Sequence, residues 1–84
     1  MRIVLNAPYF ECLLARRNKS KEWFAKRLGI HRSHLSHWLS HTKAPSPDNR
    51  KRIMDIMRGS GVQWGKLFLI INNGTTTTIY DFDR

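Results

Sequence analysis

Apolar residues recur at helical spacing through most of this chain, and strand-like runs stand at both ends. Ile3, Val4 and Leu5 predict a short strand over Arg2 to Leu5. Asn6 then serves as a helix cap and Pro8 suits the first turn after it. Phe10, Leu13, Leu14 and Arg17 mark one face of a first helix that runs to about Arg17. Ser20 caps a second helix. A third runs from about His31 to Ser40, with His31 a poorer cap than serine or threonine, and His41 to Pro45 form a loop. Ser46-Pro47-Asp48 is a clear start for a fourth: a cap, a proline at the first position and an acid in the first turn. Its Ile53, Ile56 and Met57 point inward and Arg50, Lys51, Arg52 and Arg58 outward, and Gly59-Ser60-Gly61 ends it.

The last quarter changes character. K-L-F-L-I-I over Lys66 to Ile71, then Asn72-Asn73-Gly74, then T-T-T-T-I-Y-D-F, reads as a β-hairpin, because Asn-Gly favours a two-residue turn and the flanking residues are strand formers. A fifth helix through Trp64, Leu67 and Phe68, stopped by Gly74, is the rival reading and leaves Val62 to Ile71 open.

The most informative stretch is Ser20 to Ser40. Two short amphipathic patterns meet there at Gly29: Phe24, Ala25 and Leu28 before it, and Ile30, Leu35, Trp38 and Leu39 after it. A small alanine followed four residues later by a turn glycine lets two helices cross closely at a steep angle. That is a helix-turn-helix, which presents its second helix to a DNA major groove. The outward face of that helix carries Ser33, Ser36, His37 and Ser40, flanked by Arg32 and His34, none of them acidic.

Charge reinforces this reading. Fifteen Lys and Arg against six Asp and Glu leave a formal charge of +9 on 84 residues, a balance suited to a polyanion, nucleic acid before membrane. That length allows one domain, residues 1–84, with a small core and no room for a ligand-sensing module. No apolar run is long enough to span a bilayer, and the N-terminus lacks the pattern of a signal peptide. A lone Cys12 forms no internal disulfide, which points to the cytoplasm, and its helical spacing from Phe10 and Ala15 predicts core packing. The acidic residues are scattered and no Gly-rich phosphate loop is present, so an enzyme is not expected and no cofactor is implied.

From Leu13 to about Phe68 the chain resembles the lambda repressor/Cro family of helix-turn-helix domains. The resemblance rests on Ser20, Phe24-Ala25, Leu28-Gly29-Ile30, Arg32-Ser33, Leu35-Ser36, Lys43, Pro45-Ser46 and the Ile53/Ile56 pair. The flanking strands resemble Cro more narrowly. What the resemblance implies is a mostly α (α+β) domain of four to five helices. Its helix-turn-helix would lie at the second and third, with a small antiparallel sheet from the first strand and the terminal hairpin. Residues 65–84 would be a dimerisation arm, with Thr77, Ile79, Tyr80 and Phe82 at a two-fold interface. Two departures from the family stand out. A buried Arg–Glu pair is replaced by Leu14 and Leu39, and the glycine after the third helix is His41, so the turn there is expected to differ.

Carried onto this sequence, the family's base readers are Arg32, Ser33 and His37, with His34 and Ser36 beside them. Arg32 suits guanine, whose O6 and N7 accept a guanidinium together. Phosphates would be held by Lys21 with the second helix's first amides, by Ser40 and Lys43, and by Arg17 and Lys19. His31, His34, His37 and His41 invite a metal, but no Cys or carboxylate lies near to complete a tetrahedral site, so none is expected. A histidine facing DNA would instead tighten binding as pH falls from about 7.5 to 6. Trp38 is expected in the core and Trp64 over its open end, while Trp23 packs against the first or fourth helix or marks a protein contact. The leading expectation is a phage or mobile-element repressor that binds double-stranded DNA as a homodimer. An antitoxin-type interaction module and an architectural or recombination factor are the alternatives.

Overall fold

The structure is a computed structural model that describes residues 2–72 and 75–78. Its elements run β1 (Arg2–Leu5), α1 (Ala7–Arg16), α2 (Lys21–Leu28), α3 (Arg32–Leu39), α4 (Pro47–Met57), a one-turn α5 (Trp64–Leu67), β2 (Phe68–Asn72) and β3 (Thr75–Thr78). The predicted starts of α2 and α4 hold: Ser20 Oγ accepts the Trp23 N–H at 3.0 Å and Ser46 Oγ accepts the Asn49 N–H at 3.2 Å.

One core joins the elements. Each helix buries a narrow stripe against it: Phe10, Leu13 and Leu14 from α1, Phe24, Ala25 and Leu28 from α2, Leu35 and Trp38 from α3, Ile53 and Met57 from α4. Phe10 and Phe24 meet edge to face, with ring centroids 4.8 Å apart. The sheet and α5 close the remaining side, with Leu5, Leu67 and Phe68 fully buried. β1 pairs antiparallel with β2, Leu5 opposite Phe68 and Arg2 opposite Ile71, and β2 pairs antiparallel with β3, Ile70 opposite Thr77 and Asn72 opposite Thr75. The strand order is β1-β2-β3.

The open question at residues 62–71 resolves into both answers. Trp64–Leu67 forms a single helical turn and the chain turns to strand at Phe68, so the β2 strand begins two residues later than the K-L-F-L-I-I run predicts. Trp64 is 38% exposed and leans on the buried Phe68 with centroids 5.1 Å apart, at the margin of the core. The Asn73-Gly74 turn and residues 79–84 lie outside the described residues.

Four local expectations are corrected. Cys12 is exposed, not packed, because a residue two positions from Phe10 points to the other side of α1. Asn6 stands at the cap position of α1 without capping it: its Nδ2 donates to Lys66 O at 2.8 Å, and its backbone N–H donates to Leu67 O at 2.7 Å. Both bonds tie the start of α1 to α5. Arg50 is half-buried, because its Nη1 reaches back to Pro45 O at 3.1 Å. His41 keeps the left-handed backbone that a glycine would adopt there, with φ 64°, so the turn does not change with the residue. The histidine instead gains an anchor, Nε2 donating to Leu5 O at 2.8 Å, while Arg2 Nη2 donates to His41 O at 2.7 Å.

Candidate nucleic-acid interface

The α2–α3 corner is built almost wholly from local sequence. Gly29 takes φ 85° at the end of α2, and both its N–H and that of Ile30 return to Ala25 O, at 2.9 and 3.0 Å. A left-handed residue there stops the helix and redirects the chain within two residues. Arg52 on α4 completes the turn by donating Nη2 to Leu28 O at 2.5 Å. On α3, Leu35 and Trp38 are buried and Leu39 is half-buried, which fixes the helix about its own axis. Arg32, Ser33, Ser36 and His37 consequently face outward together, all exposed. His34 behaves differently: it is half-buried, with its ring edge-on to Trp38 at 4.9 Å, turned toward its own helix.

Charge on this face is arranged in pairs. Arg32 Nη1 meets Glu22 Oε1 at 3.0 Å, across the corner from α3 to α2. Lys21 Nζ meets Glu11 Oε1 at 2.7 Å, at the α2 N-terminus. All four side chains are about half exposed or more, so neither pair adds much stability. Each carboxylate instead holds a cation in place at the start of a helix. The cap of α3 is His31 itself, whose Nδ1 accepts the Ser33 N–H at 3.1 Å.

A helix-turn-helix family model matches residues 11–62, from the middle of α1 into the loop after α4. The chain belongs to the helix-turn-helix family of lambda repressor and Cro. Searches of curated proteins and of solved structures returned no match. The domain is a sequence-specific, double-stranded-DNA-binding regulator, and its family is regulatory rather than enzymatic. Among the described residues, no helix is long and apolar enough to cross a membrane.

In this helix-turn-helix domain the cations expected at phosphates sit in unlike settings. Lys21 and Lys43 are exposed at the two ends of the α2–α3 unit, and Lys43 donates its backbone N–H to His37 O at 3.1 Å. Ser40 caps the end of α3, its Oγ donating to His37 O at 3.3 Å and lying 2.9 Å from Thr42 Oγ1. Arg17 is half-buried, donates to Ile56 O and lies over the Trp23 ring at 5.5 Å, so it braces α1 against α4. Lys19 Nζ lies on the same ring at 5.2 Å. Trp23 is thus half-buried beneath two cations at the α1–α2 corner.

Sequence reasoning missed Glu11, Glu22 and the full role of His31. Nothing local marks the two glutamates, since their partners come from other helices. The position of His31 directly before the first turn of α3 was a signal, read only as a weak cap.

Proposed function

We propose that this domain is a Cro-like repressor that binds a palindromic operator as a homodimer. The observation that carries the reading is the outward row of α3: Arg32, Ser33, Ser36 and His37 exposed together, opposite a face locked into the core by Leu35 and Trp38. A rigid helix with non-acidic hydrogen-bonding side chains on its free face suits base readout in the major groove. Arg32 reads guanine, held in its place by Glu22 until the base replaces or joins that carboxylate. Ser33 and His37 read beside it, Ser36 lies between them, and His34 supports them through Trp38. Lys21, Ser40 and Lys43 hold phosphates at the two ends of the unit, with Lys19 and the structurally engaged Arg17 at its margin.

The dimer would form through the terminal sheet. β3 is the outer strand of the described sheet and contains Thr77, while Ile79, Tyr80 and Phe82 of the expected interface lie outside the described residues. Strand addition at such an edge joins two copies by main-chain hydrogen bonds. Half-sites read by the two α3 helices would then lie about 34–36 Å apart. The interaction-module alternative loses support because Trp23 is half-buried beneath Arg17 and Lys19.

Selection from randomised duplex DNA tests the reading, with wild type compared against Arg32→Ala and Lys21→Ala. A palindrome is expected. Arg32→Ala should relax one position in each half-site by about 1–3 kcal/mol, and Lys21→Ala should weaken all sequences alike and lower the salt slope by about one. An absence of any enriched motif would overturn sequence-specific repression.

A further inference from the structure

Ser33 follows Arg32 on the exposed face of α3, and its hydroxyl touches the cap of its own helix. His31 Nδ1 accepts the Ser33 backbone N–H at 3.1 Å and lies 2.8 Å from Ser33 Oγ. A ring nitrogen that accepts a backbone N–H carries no proton, so the imidazole is the Nε2–H tautomer. The 2.8 Å contact with Oγ is then bridged by the only hydrogen left between the two atoms, that of the hydroxyl. Both donors converge on the single lone pair of Nδ1, the hydroxyl at the shorter distance. The Ser33 hydroxyl donates inward and turns only lone pairs outward.

We propose that His31 sets what Ser33 reads. With its hydrogen held by His31, Ser33 is an acceptor in the major groove and selects an exocyclic amine, N6 of adenine or N4 of cytosine, on the contacted strand. A serine with a free hydroxyl rotor would meet guanine or thymine equally well, because it both donates and accepts. Arg32 beside it is donor-only and takes guanine. The two successive readers are thus of opposite polarity, and each half-site pairs a guanine with an adenine or cytosine. His31 is a positioning residue here, acting through Ser33. The inference rests on α3 being the base-reading helix.

The test is selection from randomised duplexes at about pH 8, where an ordinary histidine is neutral, followed by affinities on single-base operator variants. Wild type, Ser33→Ala, His31→Gly and His31→Asn are compared. Glycine and asparagine are both accepted caps, so the fold is kept. Ser33→Ala should flatten one operator position, and wild type should prefer adenine or cytosine there by about three- to tenfold, the range of one net hydrogen bond. His31→Gly should erase that preference while leaving the Arg32 guanine position intact. His31→Asn should restore it, because its carbonyl oxygen accepts both Ser33 donors. Nitrogen NMR of the free protein should show an unprotonated Nδ1 on His31.

Guanine or thymine at the Ser33 position would overturn the proposal. So would a preference that survives His31→Gly, no position responding to Ser33→Ala, or a protonated Nδ1. Each of these leaves a selected motif in place, whereas failure of the underlying reading would show as no motif at all.

Discussion

The α2–α3 corner and the terminal sheet are assembled by opposite means. In the corner, Ser20 caps Trp23, Gly29 returns to Ala25 and His31 caps Ser33, bonds that each span only a few residues, and Arg52 adds one from α4. In the sheet, Leu5 pairs with Phe68 and Arg2 with Ile71, across nearly the whole chain. Local bonds form at little cost in loop-closure entropy, whereas the β1–β2 ladder closes a loop of most of the chain and costs more of it. Reading and assembly are thereby divided. The part that would touch bases is fixed by its own short sequence, and the part that would join two copies depends on everything between.

The largest expected effect removes what the two regions share. Trp38→Ala empties a site under both the corner and the sheet and should cost about 3–5 kcal/mol, seen as a lower urea midpoint with loss of helix and sheet in one transition. Two separate transitions would show that the regions do not share a core. Thr77→Pro acts on the sheet alone, since proline cannot donate to a strand ladder. It should leave the helical melting transition in place and abolish dimer formation in sedimentation, with operator affinity falling at least tenfold through lost avidity. Gly29→Ala acts on the corner alone. At φ 85° an alanine side chain is strained, and the variant should lose about 1–2 kcal/mol without a change in oligomeric state. The smallest effect is at His37, which is exposed on the reading face. His37→Ala should weaken operator binding a few-fold without moving the melting transition, and an unchanged affinity would remove His37 from the contact.

The same division explains what the sequence made legible. The caps at Ser20 and Ser46, the turn at Gly29 and the buried stripe through Leu35 and Trp38 were readable because each signal acts over one or two helical turns. The start of β2 was misplaced because K-L-F-L-I-I satisfies both periods. The choice came from Asn6, whose side chain and backbone bind the carbonyls of Lys66 and Leu67 and hold α5 as a turn. No local pattern announces a bond between such distant residues. In the interface, Arg32 and Ser33 were legible as exposed polar groups at a helix start. The partners that orient them were not, because Glu22 meets Arg32 from another helix and His31 was judged by its rank as a cap rather than by what its nitrogen can accept.

The two opposed bonds between Arg2, Leu5 and His41 carry a geometric consequence. They pin β1 to the end of α3 at two points, which removes the hinge between the reading helix and the sheet. In a dimer built through that sheet, the angle and distance between the two reading helices are set by the protein alone. One base pair inserted between half-sites turns the second by roughly 34–36° for a duplex of about 10–10.5 base pairs per turn. A body pinned in this way cannot swivel to follow, so such an operator would be gripped by one half only.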